Sequence, residues 1–177
     1  PRGADEMRAL VEQREGIRIL RYPQRAATGL AGYLVEYAPS MLFATAWLLA
    51  VRLRGRVDVV HGCNPPDLFF LLGRLAGLWG GRYVYDQHDV NPELAATKWA
   101  GSALYGPLLG LTRALERASY ATAAAVIVTN DSYARLAMGR GGVPAERIAV
   151  VRNAPPGDRF RALGEGVEPP SDASFRI

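Results

Sequence analysis

Cysteine occurs once in these 177 residues, at position 63, and lysine once, at position 98. A single thiol can build neither an internal disulfide nor a cysteine-based metal cluster, so the expected compartment is a reducing cytoplasm. Cys63 itself reads as a small buried residue beside a strand end. The scarcity of lysine bears on the net charge of +4. A nucleic-acid surface concentrates its base in one stripe with interleaved aromatics, whereas here the arginines are scattered, so nucleic acid is not an expected partner. Histidine occurs only twice, at 61 and 88. A metal centre built from Asp86, His88, Asp89 and Glu93 would lack a second nearby histidine, because His61 belongs to another loop, and no metal is expected. The G-x-G-x-x-G turn of nicotinamide-dependent oxidoreductases is absent. The uncharged run from Tyr37 to Val51 falls short of the ~20 residues that a membrane span needs.

What is present is globular. Apolar residues make up 49% of the chain, enough for one domain with a core. Ile17 to Arg21 reads as a short strand stopped before Pro23. Tyr33 to Leu53 reads as a helix, kinked or started at Pro39. Val57 to His61, closed by Gly62, has the continuous apolar pattern of a parallel strand buried on both faces. A helix with Leu68, Leu71, Leu72 and Leu75 at helical spacing follows Pro65-Pro66, prolines being well placed early in a helix. Arg82 to Asp86 is the next strand, and Leu104, Leu108, Leu111, Leu115 and Ala118 mark one face of a long helix. Ala123 to Thr129 is a strand, a helix starts near Asp131, and Arg147 to Val151 is a last strand. Strands alternating with helices predict an α/β fold, a Rossmann-like, doubly wound and mostly parallel sheet.

In such a sheet ligands bind outside the carboxyl ends of the strands. Four polar clusters fall there: His61 to Asp67, Asp86 to Asp89, Thr129 to Asp131, and Arg152 with Asn153. The candidate site residues are therefore Asn64, Asp67, Asp86, His88, Asp89, Glu93, Asn130 and Asn153. Each has a plain structural alternative. Asn64 and Asp67 are good helix caps, as are Asn130 and Asp131. Asp86 and Asp89 can hold loop backbone. His88, flanked by carboxylates that can fix its tautomer, is the strongest candidate for a functional role.

Taken in order and spacing, VDVVHGCNPPDL, YVYDQHDVNPEL, LERASYATAAAVIVTNDSY and RGGVPAERIAVVRNAPP resemble the N-terminal half of a family 4 glycosyltransferase of GT-B architecture. The resemblance runs from Pro1 to about Phe160. It implies an acceptor-binding domain over residues 1–157, with 158–177 a linker into a nucleotide-sugar domain. It implies a retaining transfer from a UDP- or GDP-sugar to a glycan or lipid-linked acceptor, with no bound cofactor or metal. His88 matches the histidine of the family's HD-type loop, which contacts the transferring sugar and its diphosphate; this makes His88 the expected catalytic residue. Asn64 and Asn130 would line the acceptor side, and Asp89 and Glu93 would support the loop. The text opens at Pro1-Arg2-Gly3, which resembles the end of the family's second strand. The first strand with its glycine loop, and the donor domain with its paired glutamates, are then expected to be missing, and these residues alone are not expected to form a complete catalyst. A sugar- or lipid-head-group-binding domain without transfer, a Rossmann-fold oxidoreductase, and a metal-dependent phosphoesterase using Asp86, His88 and Asp89 remain as alternatives.

The run from Tyr37 to Val51 has two readings. One is a helix packed on the sheet. The other is an interfacial element in which Trp47, Arg52, Arg54 and Arg56 meet the inner face of the cytoplasmic membrane, making the protein peripheral.

Overall fold

A computed structural model of the chain describes residues 11–22 and 29–153. The expectations for Pro1 to Gly3 and for the linker at 158–177 lie outside the described residues.

The first element among the described residues is a hairpin, of which only the second strand was expected. β1 (Val11–Arg14) pairs antiparallel with β2 (Ile17–Leu20), with Arg14 opposite Ile17. The two-residue turn between them puts Glu15 at φ 52° and Gly16 at φ 80°, the two positive angles that let a hairpin turn match strand twist. This pair forms a sheet of its own.

α1 (Gly29–Arg54) begins one turn earlier than expected and runs through Pro39. The proline neither starts nor ends it. It removes one ladder bond, the one to the carbonyl of Val35; Val35 is exposed, so water can take that place. The buried Ser40 ties the helix to the hairpin: its Oγ accepts from Tyr22 at 2.8 Å and donates to the carbonyl of Glu36 at 2.8 Å. Tyr22 also stacks on Phe43.

The main sheet is parallel, in the order β3 (Val59–Cys63), β4 (Arg82–Gln87), β5 (Ala125–Val128), β6 (Ile148–Val150). The expected Rossmann-like α/β fold is therefore present. α2 (Phe70–Gly77), α4 (Tyr105–Thr122) and α5 (Asp131–Gly139) pack on this sheet, and α3 (Asn91–Lys98) packs on α4. The core lies on one face, where Tyr83, Tyr85, Gln87, Val126 and Val128 alternate with partly exposed neighbours on the other face. α1 rests against α2.

Three expectations are corrected. β3 ends two residues later than predicted, because Gly62 does not stop it. Gly62 is buried, and a Cβ there would sit 2.8 Å from the Cβ of Phe69 and 3.1 Å from the ring of Tyr83; the glycine admits the tyrosine. The prolines at 65 and 66 stand in the turn before α2, both in cis linkage, and not in its first turn. The long helix does not bury its leucine stripe: Leu104 and Leu111 are exposed, while Glu116, Ser119 and Tyr120 face the core. Leu115 and Ala118 do pack there. A buried carboxylate with partners outcompetes the apolar count on this helix.

Candidate active site

Because β3 to β6 are parallel neighbours, the segments after them, with the four polar clusters, lie along one edge. The register then decides which side chains touch. Cys63 lies opposite Asp86 and His61 opposite Val84. Residues two apart on a strand share a face, so His61, Cys63, Asp86 and, just past the strand end, His88 gather on the partly open side of the sheet.

Asp86 is the centre of that group. One carboxylate oxygen, Oδ2, accepts from Nε2 of His61 at 2.9 Å and from Sγ of Cys63 at 3.2 Å. The other, Oδ1, is 3.2 Å from Nε2 of His88. Partial burial pushes the carboxyl upward, but the hydrogen bonds from His61, Cys63 and His88 prevail and hold it below its ordinary value. The same neighbourhood, through desolvation first and Asp86 second, pushes the Cys63 thiol up to about 11. Cys63 is exposed, which corrects the expectation of a buried thiol. His61 is likewise no remote loop residue.

The opposite side of the same strand ends is a closed polar network organised by Asn64, which is 4% exposed. Its Nδ2 donates to Oδ1 of Asp67 at 2.9 Å, to the hydroxyl of Tyr85 at 3.2 Å and to the carbonyl of Asp89 at 2.7 Å. Its Oδ1 accepts from the backbone N–H of His88 at 2.7 Å and of Asp89 at 3.1 Å. Asp67, also buried, takes further bonds from the hydroxyl of Tyr85 at 2.7 Å and from Asn91 at 2.7 Å. Neither Asn64 nor Asp67 caps α2, whose first turn has no side-chain cap. They clamp the His88 loop instead.

A second buried cluster supports the loop from below. The hydroxyl of Tyr120 donates to Gln87 at 2.8 Å, and Gln87 donates to Glu116 at 3.2 Å. Arg140 reaches Glu116 at 2.8 Å through one guanidinium nitrogen, and its Nε makes an ion-pair approach to the other oxygen at 2.7 Å whose angle is not that of a hydrogen bond. Arg140 also pairs with Glu93, so Glu93 braces α3 against α5. Burial pushes Glu116 upward against the opposing pull of Arg140.

The remaining predicted residues lie apart from this centre. The side chain of Asn130 caps α5, accepting from the N–H of Tyr133 at 3.0 Å, which makes it and not Asp131 the N-cap. Asp131 pairs with Arg152, and Asn153 is exposed beyond β6. On α1, Arg52 lies over the ring of Trp79, and just beyond the helix Arg56 pairs with Asp58. Arg54 bonds the carbonyl of Ala50 in its own helix, and the indole N–H of Trp47 is buried without a partner among the described residues. No helix among the described residues is long and apolar enough to cross a membrane. Sequence reasoning missed Tyr85, Asn91, Gln87, Glu116 and Arg140. The pattern H-x-C on one strand and D-x-H on the next was the signal for the cluster around Asp86.

Residues 1–154 match the model of the glycosyl transferase 4-like domain. The chain belongs to this family. No curated protein matches it. In this glycosyl transferase 4-like domain, the His88 loop sits on a parallel sheet's carboxyl edge, with its backbone held from one side and its ring from the other. Oδ1 of Asp86 stands 3.2 Å from Nε2 of the ring, and Nδ1 has no partner among the described residues. A ring nitrogen of this kind can accept a hydrogen bond when the ring is neutral and donate one when it is protonated.

Proposed function

We propose that this domain forms the acceptor side of a retaining glycosyltransferase that uses a UDP- or GDP-sugar. In this reading a second Rossmann-like domain brings the donor across a cleft to His88. The observation that carries it is the double restraint on His88: Asn64 fixes the backbone and Asp86 fixes the ring. A polar group held this way before substrate arrives stabilises developing charge without reorganising. His88 contacts the transferring sugar and the departing diphosphate, and Asp86 and Asn64 act as positioning residues. Chemistry of this kind calls for no resident cofactor.

The test is sugar transfer by the enzyme carrying this domain, with radiolabelled donor. His88→Ala is expected to lower the rate by about 10²- to 10³-fold, the usual cost of one preorganised donor, while leaving acceptor binding intact. Acceptor binding by the unaltered protein without any turnover would replace this reading with that of a binding domain.

The acceptor is a glycan or a lipid-linked saccharide. A lipid-linked acceptor is supported by α1, whose Leu42 and Leu53 are 72% and 88% exposed and whose C-terminal end carries Arg52 and Arg54, with Arg56 just beyond. An apolar flank ending in arginines suits peripheral docking on an anionic leaflet at the cytoplasmic face.

A further inference from the structure

We propose that His61, Cys63 and Asp86 form a binding site for a thiophilic divalent cation of the zinc class. The three donors come from two neighbouring strands, and register, not loop conformation, sets their separation. His61 and Cys63 are two apart on β3, and Cys63 is the parallel partner of Asp86 on β4. Their ligand atoms all lie within 4.8 Å of one another. Around a tetrahedral ion with bonds of about 2.0–2.3 Å, donors stand roughly 3.3–3.7 Å apart. The contacts at 2.9 and 3.2 Å need to open by a few tenths of an ångström, and the separation of His61 from Cys63, at most 4.8 Å, to close by up to about 1 Å.

The chemistry of the set selects the ion. One imidazole, one thiolate and one carboxylate suit zinc, cobalt or cadmium, whereas magnesium and calcium want oxygen alone. Exposure suits entry: the side chain of His61 is half exposed and Cys63 is open to solvent. Among the described residues, neither His61 nor Cys63 has a side-chain partner other than Asp86, so an ion displaces only the hydrogen bonds to that carboxylate. On binding, Sγ–metal, Nε2–metal and carboxylate–metal bonds form as waters leave the hydrated ion; the thiol proton goes to solvent, and the His61 ring takes the tautomer that carries its proton on Nδ1. Three protein ligands leave a fourth position for water or a ligand atom. His88 lies on the other oxygen of Asp86, with its Nε2 3.2 Å away.

The experiment is a cobalt titration of the purified protein, kept reduced with a phosphine, followed by absorbance. Expected are a sulfur-to-cobalt charge-transfer band in the near ultraviolet and visible bands of tetrahedral cobalt, both erased by zinc and untouched by excess magnesium. Cys63→Ser should abolish the charge-transfer band, and His61→Ala and Asp86→Asn should each weaken zinc binding at least about tenfold. His61 and Cys63 are exposed, and circular dichroism of each variant verifies that the fold is kept. Absence of a Cys63-dependent band at millimolar cobalt overturns the proposal. So does equal zinc affinity in all the variants. Neither readout involves sugar transfer, so the outcome is independent of the function proposed above.

Discussion

Glu116 is the residue whose environment most opposes its chemistry. It is fully buried, and desolvation raises its carboxyl above the ordinary glutamate value even with Arg140 alongside. A group whose folded-state value is raised favours the fold most when protonated. Its contribution is therefore present below the unfolded value near 4.5 and is lost as pH climbs through the higher folded value. Glu116→Gln removes that dependence. The melting temperature of the unaltered protein, taken relative to this variant, should thus be higher at pH 4 than at pH 8. A difference constant with pH would show that Arg140 fully offsets the burial. At the same scale, the role of Asn64 could not be read from the sequence. An asparagine after a strand and three residues before an aspartate looks like a cap. Only the fold shows that its five polar contacts go to β4, Asp67 and the loop beyond β4.

At the scale of the element, close approach governs. A Cβ added at Gly73 of α2 would lie 2.5 Å from Cγ and 2.6 Å from Cβ of Tyr83. These are the stiff inner atoms of a buried residue, so helix and strand must part. Gly73→Ala is expected to destabilise by about 1–3 kcal/mol. Gly110, in the exposed middle of α4, has nothing within 4 Å of such a Cβ, and Gly110→Ala should stabilise by about 0.5–1 kcal/mol. Denaturant melts of the two variants should move in opposite directions. The elements themselves were largely legible. The runs at 82–86 and 123–129 became β4 and β5, because consecutive Val, Ile and Tyr bounded by breakers specify little else. The hairpin strand at Val11–Arg14 was not, since three of its four residues are charged or amide and its pairing depends on a turn at Glu15-Gly16. Nor was α3, too short and too polar for its period to show. The cluster around Asp86 was hidden for a different reason: sequence distance separates His61 from Asp86 by 25 positions, and parallel pairing cancels that distance.

For the whole molecule the open question is which surfaces meet other things. α1 offers exposed apolar side chains and a basic end. If that flank docks on lipid, replacing Arg52, Arg54 and Arg56 together by glutamate should lower the partition coefficient onto anionic vesicles, read by co-sedimentation, by about 10²-fold, roughly 1 kcal/mol being lost per base near such a surface. An unchanged pellet fraction would count against docking and favour a soluble glycan acceptor. Two of these arginines already have partners, Trp79 and Asp58, so Arg54, held only to its own helix, should carry the largest single effect. The clamp at the strand ends has a consequence for engineering. The backbone of His88 is held by a side chain 24 positions earlier in the chain. Residues 85–93 transplanted onto another parallel sheet would therefore bring the histidine without its mount. A working graft must carry two strand ends, with Asn64 and Asp67 as the fixture and the loop as the tool.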